Sequence, residues 1–168
     1  GGSKRPPPKV TLLAEEYRAA IAALPGDGRL IIGGKSMGGR VASLIADELF
    51  AEGRIAGLLC LGYPFHVRGD PRDRHGLETL RGLHTPTLIV QGTRDPHGNR
   101  EEVTGYGQLP ACVRLHWLED GNHRFRPRRP SGQTEVGHVR SACAVLQLPL
   151  QLRAVPQHEP VQRQHLRH

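Results

Sequence analysis

The stretch RLIIGGKSMGGR, residues 29–40, restricts the possible folds of this chain more than any other part of the sequence. Its apolar start predicts a short buried strand over residues 29–32, and the glycines that follow predict a sharp turn into a helix. Gly34, Ser36 and Gly38 match G-x-S-x-G, the pattern of a strained strand-to-helix turn that lifts a serine hydroxyl clear of a sheet. Glycines suit this turn because the two backbones pass too close together to leave room for a Cβ atom.

Two other interpretations of the same residues compete with this one. The end of a phosphate-binding loop, G-x-x-x-x-G-K-[ST], also matches Gly34, Lys35 and Ser36, but Arg29 stands where that motif needs a glycine. We therefore reject the phosphate-binding loop. An ordinary glycine-rich turn fits G-x-S-x-G as well, so the motif by itself does not decide between a structural and a catalytic serine.

Apolar periodicity organises the rest of the chain into alternating helices and strands. Helical spacing predicts helices over residues 11–24 and 41–50, with shorter ones near residues 77–83 and 99–106. Strands are predicted over residues 29–32, 55–61, 87–91 and 113–118, the last of them exposed on one face. The alternation predicts an α/β fold, a parallel sheet flanked by helices, in which the loops after the strands meet at one edge. Ligands bind at that edge in open α/β sheets.

Three residues suited to acyl transfer follow three different strands of this predicted sheet. Ser36 follows the first strand, Asp95 the third and His123 the fourth, in the chain order typical of α/β hydrolases. In that role His123 would take the proton of Ser36 as the serine attacks a carbonyl carbon, and Asp95 would orient the imidazole. The N–H of Met37 would bind the developing oxyanion. Each residue taken singly fits an ordinary loop or turn, and only their joint placement favours catalysis.

The net charge of +7 is concentrated at the C-terminal end of the chain. Residues 1–120 hold 15 Lys and Arg against 14 Asp and Glu, whereas residues 121–168 hold 8 against 2. A nearly neutral body with a basic end argues for a solvated appendage rather than a phosphate-binding surface. The tail also lacks aromatic side chains interleaved with the basic ones, so we do not expect it to bind nucleic acid.

Other chemistry-bearing side chains are assigned structural roles. The three cysteines are predicted to be buried free thiols rather than a disulfide framework or a metal site: Cys60, Cys112 and Cys143. Asp120 and His97 are predicted to be ordinary loop residues. The sequence therefore predicts no metal and no cofactor.

Four sequence runs together resemble a known family. The runs are GGKSMGGRVASLIADEL, LLCLGYPFH, TPTLIVQGTRDPHGNREEV and LEDGNHRF, and the resemblance covers roughly residues 4–135. They are similar to small α/β-hydrolase-fold proteins that are distant relatives of the dienelactone hydrolases and are related to the hydrolase-like domain of the non-specific-lethal chromatin complex. By that resemblance Ser36 matches the family's elbow serine, Asp95 its acid and His123 its histidine. Most members are known as hydrolases of undefined substrate, so the resemblance implies the fold more closely than the function.

The chain departs from the family pattern at both ends. Strands that precede the nucleophile in the α/β-hydrolase fold, one of which is followed by a loop with a second oxyanion donor, have no counterpart before residue 29. The strand before Ser36 is therefore expected at an exposed apolar edge, and the oxyanion hole is expected to rest on Met37 alone. The family continues after Glu135 into a helix on the sheet, whereas this chain continues with a sequence interrupted by prolines. We expect a fragment that begins late and is frame-shifted near Glu135.

Composition divides the chain into three predicted segments. Residues 1–9 are expected to be a basic, Pro-rich linker, residues 10–135 an α/β-hydrolase-like domain without its first strands, and residues 136–168 a basic, disordered tail. No apolar run is long enough to span a membrane and the N-terminus lacks the hydrophobic core of a signal peptide, so we expect a cytoplasmic protein that does not bind membranes.

The function predicted from these features is that of a serine hydrolase. It would act on a carboxylic ester or related small-molecule acyl substrate through an acyl-serine intermediate. The alternatives are a non-catalytic, α/β-hydrolase-like interaction module and an inactive fragment. The substrate and the oligomeric state are left open.

Overall fold

A computed structural model of the chain describes residues 10–24, 30–70 and 72–147. Helices and strands alternate along these residues, and their bounds are α1 (Val10–Ala22), β1 (Leu30–Lys35), α2 (Met37–Ala51), β2 (Ile55–Leu61), α3 (His75–Arg81), β3 (Thr87–Gly92), α4 (Arg100–Gly105), β4 (Val113–Leu118) and α5 (Glu135–Gln147). A short 3-10 turn, Arg129–Ser131, lies before α5. The predicted linker over residues 1–9 lies outside the described residues.

The strands form one parallel sheet in the order β1-β2-β3-β4. This confirms the predicted α/β fold with a parallel sheet flanked by helices. Each connection passes through a helix, which is how parallel neighbours are joined. Within the described part of the sheet β1 is an edge strand, as predicted, and its Ile31 side chain is 44% exposed.

Two apolar layers cover the two faces of the sheet. The larger layer packs α1, α2 and α3 on one face and includes Ile32, Cys60 and Ile89. The smaller layer packs α5 on the opposite face and includes Val90 and Leu118. Every residue of β3 is buried, since this strand has a neighbour on each side and a layer on each face.

The first strand extends further than its apolar residues predicted. β1 continues through both glycines to Lys35, which pairs with Leu61. Gly33 can follow β2 so closely because it has no side chain; a Cβ there would collide with the carbonyl oxygen of Leu59. The helix after the turn begins at Met37, directly after the turn, as predicted.

The predicted boundary of the domain at residue 135 is wrong, because Glu135–Gln147 forms α5 rather than part of a disordered tail. This helix packs on β4 with a stripe formed by the buried His138 and Ala142 and the partly buried Val145. The stripe has the spacing i, i+4, i+7 of a helix face. The pattern is weak in the sequence, because a histidine and an alanine occupy positions where large apolar side chains are expected. Residues 148–168 lie outside the described part of the chain.

The prediction that β4 leaves one face exposed is also wrong. Leu118 is only 1% exposed because it packs in the layer beneath α5. His116, on the same face of the strand, shares a 2.8 Å hydrogen bond between its Nε2 and Ser141 Oγ of α5. The prediction for β4 therefore failed because α5, which covers this face, was not predicted.

Candidate active site

Ser36 lies at the apex of the turn between β1 and α2, with a strained backbone. Its φ and ψ are 52° and −119°, a left-handed conformation that side chains with a Cβ rarely adopt. The N–H of Ser36 donates to Leu61 O at 2.9 Å and its carbonyl accepts from Arg40 N at 3.2 Å. The last bond of the sheet and the first bond of the helix thus meet at one residue, which holds the strained turn in place.

The glycines around Ser36 allow β1 and α2 to approach each other. A Cβ on Gly34 would lie 2.9 Å from the carbonyl carbon of Gly38, and a Cβ on Gly39 would lie 2.8 Å from Gly34 O. A Cβ on Gly38 would make only an ordinary contact, 3.5 Å from Tyr17 Oη. The second glycine that the packing requires is therefore Gly39, one residue beyond the motif.

The structure brings together the three side chains that the sequence singled out. His123 Nε2 lies 3.0 Å from Ser36 Oγ, and His123 Nδ1 lies 2.8 Å from Asp95 Oδ2. An ionised carboxylate only accepts hydrogen bonds, so Nδ1 carries the proton that it donates to Asp95. Nε2 then has a lone pair that can accept the hydroxyl proton of Ser36.

Asp95 is fully buried and hydrogen-bonded through both of its oxygens. Its Oδ1 accepts from the backbone N–H of His97 at 2.9 Å, while Oδ2 accepts from His123. The exposed fraction of Asp95 is 0%, so water does not compete for its charge. The carboxylate is consequently fixed in position before any reaction starts.

Two glycines at the ends of strands leave space for the segment that carries His123, the histidine loop, residues 119–128. A Cβ on Gly62, after β2, would lie 3.3 Å from His123 Nδ1. A Cβ on Gly92, the last residue of β3, would lie 2.7 Å from Asn122 O. Position 92 therefore requires a residue without a side chain, and at position 62 both the tight contact and a positive φ of 63° favour glycine.

Asp120 anchors the start of the histidine loop. Its backbone N–H donates to Thr93 Oγ1 at 2.8 Å and its carbonyl accepts from Arg94 Nε at 3.0 Å. Its carboxylate accepts from Arg128 Nε at 2.7 Å and from the Arg128 backbone N–H at 2.6 Å. These hydrogen bonds from Arg128 lower the pKa of Asp120 to about 2.

Lys35 connects β1 to the histidine loop beside Ser36. Its Nζ donates to the carbonyl oxygen of His123 at 2.7 Å and lies 4.4 Å from the centre of the Phe125 ring. Partial burial lowers the pKa of Lys35. Sequence reasoning assigned this lysine no role, because nothing in a single sequence relates a side chain at position 35 to a carbonyl at position 123.

Two further histidines surround the candidate triad. The ring of His97 lies 4.7 Å from that of His123 between centroids, and its Nδ1 lies 3.3 Å from His66 O. His66 is 2% exposed; its ring nitrogens lie 2.8 Å from Val67 O and 3.2 Å from Glu102 Oε2. Both are loop residues, as predicted for His97, and hydrogen bonds hold both rings in place.

Met37 begins α2, where the sequence placed the oxyanion donor. The first N–H groups of a helix have no carbonyl partner within it, and the first bond of α2 runs from Arg40 N to Ser36 O. The N–H of Met37 therefore lies at the positive end of the helix dipole, next to Ser36. The side chain of Met37 is 44% exposed.

The cysteines are free thiols, but only one of them is buried as predicted. Cys60 lies under the turn, where burial raises its pKa to about 12. Cys112 is half-buried and Cys143 is exposed, because it lies on the solvent side of α5.

Within residues 10–24, 30–70 and 72–147, no group of His, Cys, Asp or Glu side chains could hold a metal ion. None of the helices in those ranges is long and apolar enough to cross a membrane.

Comparison with a family model agrees with this fold. The model described as "Alpha/beta hydrolase domain" matches residues 1–148. The chain belongs to this family. No curated protein matches the sequence.

Solved structures of other members of this fold are similar to the chain. An alpha-beta serine hydrolase homologue from Coxiella burnetii has a TM-score of 0.60 and 18% identity, over 89% of this chain and 64% of that one. A serine hydrolase involved in carbazole degradation has a TM-score of 0.56 and 14% identity, over 88% and 76% of the two chains. The thioesterase domain of the curacin biosynthetic pathway has a TM-score of 0.54 and 15% identity, over 86% and 72%. At these identities the likeness concerns the fold, and the chain spans 64% of the Coxiella burnetii structure.

Proposed function

We propose that this α/β-hydrolase chain is a serine hydrolase that cleaves carboxylic esters or related small-molecule acyl substrates. The observation that carries the proposal is the continuous pair of hydrogen bonds from Ser36 Oγ through His123 to Asp95, at 3.0 and 2.8 Å. A serine, a histidine and a buried carboxylate in this arrangement are the parts of a nucleophilic triad. The strained turn at Ser36 supports the assignment as a nucleophile elbow, since strain of this kind is concentrated at functional sites.

The proposed reaction begins with attack of Ser36 Oγ on the carbonyl carbon of the substrate. His123 Nε2 takes the hydroxyl proton as the new C–O bond forms, and Asp95 stabilises the imidazolium. The carbonyl oxygen becomes an oxyanion, which the N–H of Met37 binds at the start of α2. When the oxyanion collapses, the bond to the leaving group breaks and His123 returns the proton to it. An acyl-serine remains, and a water activated by His123 hydrolyses it in the same way.

One observation favours the alternative of a non-catalytic module or an inactive fragment. β1 is an edge strand of the described sheet, whereas in this fold the second oxyanion donor comes from a loop that follows an earlier strand. Loss of one such donor costs about 10²- to 10³-fold in kcat. An interaction module related to the hydrolase-like chromatin subunit would keep the fold without turnover. We also propose, from the sequence resemblance, that this chain is related to that subunit and, more distantly, to the dienelactone hydrolases.

A fluorophosphonate probe tests the proposal, because it reacts with a serine only where a general base and an oxyanion site are formed. We expect covalent labelling of the 168-residue chain at Ser36, detected by intact mass and peptide mapping. Ser36→Ala is expected to abolish labelling, whereas Ser131→Ala, which changes a serine on the 3-10 turn before α5, is expected to keep it.

Circular dichroism makes the test decisive by showing that each variant is folded. If the folded chain is not labelled, or if Ser36→Ala is labelled as strongly as the parent, the hydrolase proposal is wrong. The interaction module would then be the better account of the fold.

A further inference from the structure

We propose that Lys35 is a positioning residue that holds His123 in line with Ser36. The proposal rests on the proposed function, since it concerns the same triad. It assigns a role to the residue between Gly34 and the nucleophile in the G-x-S-x-G turn, where the pattern permits any side chain. Lys35 does not touch the reacting atoms and acts through the backbone of His123.

The contact that carries the proposal is the hydrogen bond from Lys35 Nζ to the carbonyl oxygen of His123, 2.7 Å long. It joins residues that are 88 positions apart. Lys35 is the last residue of β1, so its backbone is fixed by the pairing of that strand with β2. The bond therefore transfers the rigidity of the sheet to the residue whose ring must reach Ser36.

Phe125 supports the same lysine from within the histidine loop. The ammonium lies 4.4 Å from the centre of the Phe125 ring, a distance at which a cation is attracted to the ring face. Phe125 has a left-handed φ of 65°, and its carbonyl accepts a 2.7 Å hydrogen bond from Nδ1 of His138 in α5. His138 is 3% exposed. The loop is thus held by β1 on one side and by α5 on the other.

The surroundings of Lys35 act in opposite directions on its charge in the clamp, the hydrogen bond from Lys35 Nζ to His123 O. Burial removes part of the water of the ammonium, Asp95 attracts it and Arg124 repels it. The hydrogen bond to His123 O offsets this loss of water, because a charged donor makes a stronger bond than a neutral one. A small displacement of His123 would matter, since a misplacement of about 1 Å can cost on the order of 10²-fold in rate.

Lys35→Met tests the clamp, because it keeps a long apolar side chain and removes the donor. We expect the limiting rate of labelling by the fluorophosphonate to fall about tenfold, the effect of losing one hydrogen bond from a charged group, while the reversible binding constant of the probe stays the same. Lys35→Arg is expected to restore most of the rate, because a guanidinium can also donate to the carbonyl and lie over the Phe125 ring.

Two controls separate positioning from general damage. Arg72→Met removes a surface cation whose side chain is 93% exposed, and it is expected to leave the rate unchanged. Phe125→Leu removes the ring and keeps an apolar side chain, and it is expected to lower the rate by a smaller factor than Lys35→Met. If Lys35→Met does not fold, Phe125→Leu and Lys35→Arg still decide the proposal.

A proton NMR signal reports whether His123 is hydrogen-bonded to Asp95, and it needs no substrate or probe. The proton on His123 Nδ1, shared with Asp95, is expected as a sharp downfield signal that is absent in His123→Gln. In Lys35→Met the signal is expected to broaden or disappear, and in Lys35→Arg to remain. An unchanged signal together with an unchanged rate of labelling in Lys35→Met would overturn the clamp. If the parent chain does not react at all, the hydrolase proposal fails, and the NMR comparison alone decides the clamp.

Discussion

Ser36 occupies a conformation that its own side chain disfavours, and three neighbours keep it there. The N–H of Ser36 is bonded to Leu61 O, and the glycines at positions 34 and 39 let α2 lie directly against β1. Strained residues of this kind cost about 1–3 kcal/mol each and persist only where the surroundings determine the backbone. The turn is therefore stabilised by the sheet and the helix that it connects.

Asp95→Asn is predicted to lower the rate of fluorophosphonate labelling by roughly 10³- to 10⁴-fold. An asparagine can turn its amide N–H toward His123 Nδ1, which stabilises the tautomer with the proton on Nε2 and removes the acceptor for the Ser36 proton. The second-order rate constant of labelling measures the effect. Asp70→Asn, at a surface loop, is the matched control and should keep the parent rate. A rate for Asp95→Asn within twofold of the parent would exclude the proposed role of Asp95.

The three candidate residues could be predicted from the sequence because each follows a strand and their order along the chain is informative. The roles of Gly39 and Lys35 could not be predicted in this way. Their roles depend on contacts between segments that are distant in sequence, such as the one from Lys35 to the carbonyl of His123. Periodicity and motifs describe neighbours along the chain and do not contain these contacts.

At the scale of elements, the carboxylate of Asp120 joins the start of the histidine loop to its end. Asp120 has a positive φ of 55°, and its side chain binds Arg128 across the loop. The pKa of Asp120 in the folded protein, about 2, lies below the ordinary value of 3.8. A group whose pKa is lowered by folding stabilises the fold above its ordinary value, and this contribution is lost as the pH falls towards the lower one.

Asp120→Asn is predicted to lose less folding stability than the parent as the pH falls from 3.8 to about 2. The reason is that the parent loses the bond from Asp120 to Arg128 over this range, whereas the variant lacks the charge at every pH. Asparagine tolerates the left-handed backbone, so the loop itself should persist. Denaturant midpoints measured across the range test the prediction. Glu135→Gln, which removes an exposed carboxylate, serves as the control, and equal slopes in parent and Asp120→Asn would contradict the prediction.

The bounds of helices and strands could be predicted where the apolar pattern was strong. The predictions failed where small or polar residues form the packed face. β2 has the predicted bounds, because an unbroken apolar run is typical of a strand buried on both faces. α5 was missed because His138 and Ala142 form its buried face while Val136 and Val139 are 61% and 52% exposed. The two valines of this helix thus lie on its exposed face, opposite the face that packs on the sheet.

At the scale of the whole molecule, α5 belongs to the folded domain and covers one face of the sheet. Ala142→Asp is predicted to destabilise the protein by about 3 kcal/mol or more, because it places an unpaired charge in the layer with Val90 and Leu118. Val139→Asp, on the exposed face of the same helix, is the matched control and should change the free energy of unfolding by less than about 0.5 kcal/mol. Chemical denaturation measures both variants. Equal stabilities would mean that residues after 135 do not contribute to the domain.

The hydrogen bond between Ser36 and His123 joins residues that are 87 positions apart in the chain. β2, β3 and β4 all lie between them, so each of these strands must be in register before the two side chains can meet. Closing so long a loop costs conformational entropy, and contacts of this range form slowly during folding. If Ser36 is the proposed nucleophile, its labelling by the fluorophosphonate should therefore return at the end of refolding, after the helical signal, and would time the final step of assembly.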